Sequence, residues 1–258
     1  MRNKGFIETN ETGWDNLIKS GKPFSNTILP EYGPFLKRNE ESLNLFKNIK
    51  GASVLDLGCG AGESLKYLYN KGASTVWGID ISKEQIKKAK EAFNNFKNNF
   101  YVSPMEIEVD IPKNYFDYII SIFSIGYTSD LKSTLKNVYN YLKENGLFII
   151  SWTHPFYYCL DFFNGDVIVD KSYFDEESEV ISKGPDKIKL MQKNLMISTI
   201  INEAIKVGFN VEKILEEETE LKDDVNGYIS NFWKKEKTTN CPSTIIYVFK
   251  KKNYTYYK

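Results

Sequence analysis

Residues 53–64, SVLDLGCGAGES, limit what this chain can fold into more than any other stretch. An apolar run, Val54 to Leu57 broken only by Asp56, passes into Gly58, Gly60 and Gly62 and then into the helical pattern LKYLYNKG. Apolar strand, glycine turn and amphipathic helix form the opening βα unit of a nucleotide-type site. Glycines permit positive φ and remove the Cβ atoms that would hold the backbone away from a ligand. The helix that follows turns its free N–H groups and positive dipole end toward whatever lies in the turn.

The spacing narrows the ligand. A dinucleotide fingerprint reads G-x-G-x-x-G and seats a pyrophosphate on the helix start. Here the order is G-x-G-x-G, and Glu63 stands where the third dinucleotide glycine belongs, which disfavours an NAD-dependent enzyme. Asp56, just ahead of the first glycine, would repel a pyrophosphate and attract an ammonium or a sulfonium. A second apolar run, VWGIDIS, carries Asp80 at its end, placed to accept hydrogen bonds from ribose hydroxyls. Two acids around a glycine turn suit a cationic nucleoside. A capping role at the turn is the other reading of Asp56, and Cys59 between its glycines reads simply as a small residue.

VLDLGCGAG followed by WGIDIS resembles motifs I and II of the class I S-adenosylmethionine-dependent methyltransferases. The resemblance continues through FDYIISIFSI, YLKENGLFIISW and STIIYVFKK, so it covers roughly residues 40 to 251. A narrower likeness lies in GWDNLIKSGKPFS, SPMEI, YFDYIISIFSIGYTSDL and SWTHP, which are similar to a bacterial subfamily of small-molecule methyltransferases. The resemblance implies S-adenosyl-L-methionine as cofactor and S-adenosyl-L-homocysteine as product. It implies that Asp56, Gly58, Cys59, Gly60, Gly62, Asp80 and Ile81 surround the cofactor, with Ile81 on the adenine face.

The chain's 258 residues suffice for one large domain, or a domain with a cap. Its 34 basic and 34 acidic residues cancel, so nothing global points to nucleic acid or an anionic membrane. Cys59, Cys159 and Cys241 share no metal spacing, and no second histidine accompanies His154; reduced thiols, a cytoplasmic location and no metal site are expected. The start has no apolar leader core, and no run reaches membrane-spanning length, so no membrane partner is expected.

Residues 1–35 read as turns and irregular pieces around Pro23, Pro30, Gly33 and Pro34, with Trp14, Phe24, Tyr32 and Phe35 among them. The resemblance makes this segment a lid and gives Trp14 and Tyr32 to the substrate; ordinary packing of aromatics is the alternative. Residues 36–258 form the main domain. Helical spacing predicts helices over 37–48, 62–70, 82–96 (Ser82 and Gln85 as a capping box), 131–142 and 193–207. Strands are predicted at 53–57, 75–79, 100–102, 115–123, 147–152, 211–215 and 243–251. The alternation predicts an α/β, doubly wound, Rossmann-like seven-stranded sheet with helices on both faces and a small cap; the resemblance makes its last strand antiparallel. Residues 153 to about 190 show no clear period and stand where the resembled fold carries substrate-covering insertions. Residues 219–242 read as loop around Phe232 and Trp233.

At the third strand, Ser103-Pro104-Met105-Glu106 replaces the aspartate that many relatives offer to the adenine amino group. Met105 is expected against adenine with Glu106 nearby, or Met105 as core filler. Ser121 and Ile122 are expected along the methionine arm, with Phe123 to Tyr127 facing the methyl group. Tyr127 and Trp152 are candidate substrate walls, a half-buried tyrosine being the plain alternative for Tyr127. His154, in S-W-T-H-P after the fifth strand, stands where a base could accept a proton from an O–H, N–H or S–H acceptor, or where a structural hydrogen bond could form. The expected activity is methyl transfer to O, N or S of a small molecule. A cofactor-binding protein without transferase activity, and an RNA or protein methyltransferase, are the alternatives.

Overall fold

The computed structural model describes residues 2–22, 27–220 and 232–252. In chain order its elements are helix α1 (Arg2–Lys19), α2 (Glu40–Leu43), strand β1 (Ser53–Leu57), α3 (Glu63–Asn70), β2 (Thr75–Asp80), α4 (Lys83–Ala92), β3 (Phe100–Val102) and β4 (Phe116–Ile122). They continue with α5 (Leu131–Tyr141), β5 (Leu142–Thr153), α6 (Pro155–Cys159), β6 (Leu160–Phe163), β7 (Asp166–Val169), β8 (Ser178–Lys183), β9 (Ile188–Lys193), α7 (Ile197–Val207), β10 (Phe209–Glu216), α8 (Lys235–Thr238) and β11 (Thr244–Lys251).

Seven strands form one sheet in the order β10-β11-β5-β4-β1-β2-β3. β3, β2, β1, β4 and β5 run parallel, and β11 is antiparallel to both β5 and β10. The strand sequences explain the layering. Successive residues of a strand point to opposite faces, and here both faces are apolar, as a sheet covered on each side requires. Leu55, Ile119 and Ile150 face one core with Leu135 and Val138 of α5 and Ile200 and Ala204 of α7. Val54, Ile120 and Ile149 face the other, with Leu65 and Leu68 of α3 and Ile86 and Ala89 of α4. β1 and β4 are paired neighbours whose following helices, α3 and α5, pack on opposite faces, so their carboxyl ends mark the crevice position in such folds.

The lid segment departs from the predicted turns: residues 2–19 are one helix. Its buried stripe is Phe6, Asn10, Gly13 and Leu17, so helical spacing is present but polar and glycine positions interrupt its apolar signal. Gly13 is small because a Cβ there would stand 2.5 Å from the Lys189 carbonyl oxygen of β9. Pro23 and Phe24 lie outside the described residues. The helix predicted over 37–48 is only the turn α2, ended at Asn44, whose φ of 49° is left-handed and whose N–H returns to the Glu40 carbonyl. α4 ends near Phe93, and a 3-10 turn (Asn94–Asn99) occupies the rest of the predicted helix.

The stretch without period is two hairpins. β6 and β7 pair antiparallel around Asn164-Gly165, both at positive φ, and β8 and β9 pair antiparallel beyond them. Lys193 and Asn194, predicted helical, instead close β9 and lead into α7. Asn10 fastens α1 to β9: its Nδ2 donates to the Met191 carbonyl (2.9 Å) and its Oδ1 accepts from the Met191 N–H (2.8 Å). Residues 221–231 of the predicted loop lie outside the described residues. Beyond them Phe232 and Trp233 pack with Tyr157, Leu160 and Cys241. Among the described residues, no helix is long and apolar enough to cross a membrane, and no group of metal-ligating side chains is found.

Candidate functional site

β1 delivers the chain into a turn that β2 holds down. The Gly58 and Cys59 N–H groups both donate to the Ile79 carbonyl, at 2.8 and 3.1 Å. The Gly60 N–H donates to Asp80 Oδ2 at 2.8 Å, so the second acid ties the turn to the neighbouring strand. Gly58 has φ 71° and backs onto Ser124, leaving no room for a Cβ. Gly62 has φ 89°, and a Cβ on it would stand 2.8 Å from the Phe93 ring. Cys59 is buried with its sulfur against Gly78, a packing role, although it also borders the turn.

The turn floors a crevice that opens to solvent. Asp56, Gly58, Cys59, Gly60, Glu63, Asp80, Ile81, Met105, Glu106 and Ile122 line it, as do Trp14 and Tyr127. Gly62 sits one step back, at the N-cap of α3. Lining residues that the sequence did not single out for the site include Ile7 and Asn10 of α1, Thr27, Ile28 and Gln85. Ile7, Asn10 and Trp14 recur at helical spacing, a signal that could have been found had residues 2–19 been read as a helix.

The two acids differ. Asp56 is buried, and its Oδ1 has no hydrogen-bond partner among the described residues. Burial first, then the Asp80 and Glu63 charges, push its carboxyl well above the usual range. Asp80 accepts from the Gly60 N–H and from the Ser82 N–H (2.8 Å). Burial raises its pKa to about 6, against the lowering effect of those two donors. α1 reaches this corner too: Asp15 Oδ1 accepts from the Ser82 hydroxyl at 2.6 Å and from the Glu84 N–H at 3.2 Å, at the start of α4.

Several expected site residues stand elsewhere. Ser121 is fully buried behind the crevice wall, bonded to Ser124 Oγ at 2.6 Å; Ser124 donates onward to the Leu57 carbonyl at 2.5 Å and is the serine that lines the crevice. Tyr32 is fully buried, its hydroxyl donating to Glu40 Oε2 at 2.6 Å, so it braces α2 and does not reach the crevice. Trp152 is buried behind Tyr127 and Phe123, which separate it from the crevice. Glu106 lines the crevice but is engaged: the Ser129 N–H (3.1 Å) and hydroxyl donate to Oε1, and the Thr128 hydroxyl approaches Oε2.

His154 stands away from the crevice lining. The Phe156 N–H donates to Nδ1 at 3.2 Å, which leaves the Nε2 hydrogen to meet Glu216 Oε1 at 2.9 Å. Both ring nitrogens are used, the ring caps α6, and His154 does not line the crevice. Burial lowers its pKa, in keeping with a neutral ring. These contacts match the structural hydrogen bond weighed for this position beside the role of a base.

At the crevice's outer end, Trp14 and Tyr127 meet edge to face with ring centroids 5.3 Å apart, and Trp152 backs Tyr127 at 5.4 Å. The arrangement therefore joins a carboxylate-flanked inner end, suited to a cation, to an aromatic outer end beneath α1.

The family of the methyltransferase domain matches residues 32–182. An uncharacterized protein of Haemophilus influenzae is 35% identical over 122 residues, 45% of this chain and 48% of that protein. A ubiquinone biosynthesis O-methyltransferase of Pelagibacter ubique is 34% identical over 41% of this chain and 43% of its own length. The chain thus matches less than half the length of either relative. The crystal structure of an S-adenosylmethionine-dependent methyltransferase from Mesorhizobium loti superposes with a TM-score of 0.63 at 20% identity, covering 79% of this chain and 92% of that one, which is a likeness of fold. Because the matched domain takes in more than half of the 258 residues, with the glycine turn and the parallel strands β1 to β5 inside it, the chain belongs to the class I S-adenosylmethionine-dependent methyltransferase family.

Proposed function

We propose that this protein transfers the methyl group of S-adenosylmethionine to an O, N or S atom of a small molecule held between the crevice and α1. The observation that carries the reading is Asp56 Oδ1, a buried carboxyl oxygen in the crevice wall with no hydrogen-bond partner among the described residues. A buried charged or polar atom left unpaired is costly. A ligand ammonium answers it, and a pyrophosphate would make it worse. The residues present therefore fit the cofactor. Asp56 would hold its amino group and Asp80 its ribose hydroxyls. Ile81 and Met105 would hold the adenine. Gly58 and Gly60 would let the backbone approach.

When bound, the cofactor supplies a methyl group on a positively charged sulfur. The chain's own contribution is mostly placement. Trp14, Phe123 and Tyr127 wall the outer end against water and fix the plane of an acceptor. Methyl transfer from a sulfonium leaves a neutral sulfide, so alignment matters more than a strong base, and the position of His154 does not count against the reading. The aromatic wall and the chain's balanced charge favour a small acceptor over nucleic acid. The unpaired cysteines fit work in a reducing cytoplasm.

Calorimetry with S-adenosylhomocysteine tests the reading. Micromolar binding is expected in the wild type, and Asp56→Ala should weaken it by roughly ten- to a hundredfold, the worth of a buried charge-assisted hydrogen bond. A folded wild-type protein with no affinity for this compound would end the proposal.

A further inference from the structure

The crevice lining divides by chemistry. Its acids, Asp56, Glu63, Asp80 and Glu106, come from β1, the start of α3, the end of β2 and the turn after β3. Asp56 feels the charges of Asp80 and Glu63, so these three share one end, the end where the methyl-transfer reading seats the cofactor. Glu106 is spent on Thr128 and Ser129. α1, residue 28 and the turn after β4 supply Ile7, Trp14, Ile28, Phe123 and Tyr127, none of them charged. The described lining residues include no lysine, arginine or histidine. Lys183 Nζ lies 4.7 Å from the centroid of the Trp14 ring, but Lys183 does not line the crevice. With the cofactor's ammonium on Asp56 and its ribose on Asp80, a charge of either sign on the acceptor would be buried against apolar surface with no counter-charge, which is costly.

Within this apolar part, the half-buried Tyr127 carries a hydroxyl that makes no hydrogen bond to any described residue. Burial raises its pKa, so it stays protonated and able to donate. The Asn10 amide cannot serve in its place, since both its ends are bonded to Met191. The Tyr127 ring is held on several sides. Trp14 meets it edge to face at 5.3 Å, and Trp152 backs it at 5.4 Å. Its N–H donates to the Ser124 carbonyl at 2.9 Å. The preceding Gly126 presses so closely on Trp152 that a Cβ there would stand 2.1 Å from that ring. Two residues on, Ser129 is pinned by Glu106, which accepts its N–H at 3.1 Å, and by Lys193 Nζ, which donates to its carbonyl at 2.9 Å. A hydroxyl fixed in this way gives up little freedom on meeting a ligand. The neighbouring rings of Trp14 and Phe123 suit a flat apolar partner.

We propose that the methyl acceptor is an uncharged, mainly apolar molecule with a flat ring, and that Tyr127 is a specificity-determining residue whose hydroxyl donates a hydrogen bond to the acceptor's polar atom. The proposal rests on the methyl-transfer reading and deepens it by naming the acceptor's class.

The test uses the full chain saturated with S-adenosylhomocysteine and titrated with three probes of one shape: 2-naphthol, which is neutral, 2-naphthoate, an anion, and 2-(aminomethyl)naphthalene, a cation at neutral pH. The wild type should bind naphthol at least roughly tenfold more tightly than either charged probe, because each of those buries a charge without a partner. Tyr127→Phe keeps the ring and removes the hydroxyl. It should weaken naphthol binding by roughly five- to tenfold, the worth of one hydrogen bond, and leave S-adenosylhomocysteine affinity unchanged. That retained affinity is the check that the variant is folded. A wild type that binds no naphthol, or binds a charged probe as tightly, overturns the proposal while leaving the cofactor reading intact. So does a naphthol affinity that Tyr127→Phe does not change. Failure of the wild type to bind S-adenosylhomocysteine overturns both.

Discussion

At the scale of single residues, the acids of the crevice set how stability and binding respond to pH. The Asp80 pKa lies at about 6 in the fold against a usual 3.8. Between those values the folded chain holds a proton that the unfolded chain has released, so this group makes stability fall as pH rises through the window. Asp80→Asn should remove its share of that slope, which melting temperatures from about pH 4 to 7 would reveal. Ligand hydroxyls favour the charged carboxylate, so affinity for S-adenosylhomocysteine should rise over the same window in the wild type and rise less in the variant. His154 makes the opposite kind of prediction. His154→Ala should lower stability by about 1–2 kcal/mol through a lost helix cap and a lost bond to Glu216, seen in denaturant melts. Cofactor affinity should not change. Loss of turnover in a variant that still folds and binds would restore the base. The convergence of Asp56, the glycines and Asp80 on one crevice was legible because their positions depend on a strand, its turn and the end of the next strand. The contacts of His154 were not, because its partner Glu216 lies 62 residues away. Tyr32 was misread for the same reason, its partner Glu40 sitting on an element whose extent was itself overcalled.

At the scale of elements, the sheet strands announced themselves and α1 did not. β1 is buried along its whole length, and a strand covered on both faces has to be nearly all apolar, which is a strong local signal. α1 buries Asn10 and Gly13 between Phe6 and Leu17, and each is explained only by β9, far along the chain. Asn10 stands in for a neighbouring strand by satisfying both backbone groups of Met191, and so completes the edge of the β8–β9 hairpin. Asn10→Ala leaves a part-buried N–H and C=O unmet, at a cost of about 1–3 kcal/mol. The loss should fall on the docking of α1 rather than on the sheet. Hydrogen exchange at the Met191 amide should therefore quicken strongly, with amides of β1 and β4 unaffected. Equal quickening in β1 would mean that α1 and the sheet open as one unit.

For the whole molecule, the crevice is a place where the fold buries carboxyl groups whose ionisation it disfavours until a ligand arrives. Asp56 and Asp80 repel each other and are both buried, and α1 adds Asp15 to the same corner. The two hydrophobic cores on either face of the sheet are what tolerate that concentration of acid at its carboxyl edge. A ligand that binds only the folded state stabilises it by mass action, about 2.7 kcal/mol at a concentration one hundred times its dissociation constant. For a chain of this size each kcal/mol moves the melting midpoint by about 2–4 °C, so saturating S-adenosylhomocysteine should raise it by about 5–10 °C. Adenosine lacks the amino group that Asp56 is placed to receive and engages only the Asp80 side. At the same concentration it should give a clearly smaller shift, and Asp56→Ala should bring the two shifts together by lowering the first alone. Equal shifts from both compounds in the wild type would mean that the unpaired carboxylate contributes nothing to recognition, and that the charge held at this edge of the sheet serves some purpose other than drawing in a cationic cofactor.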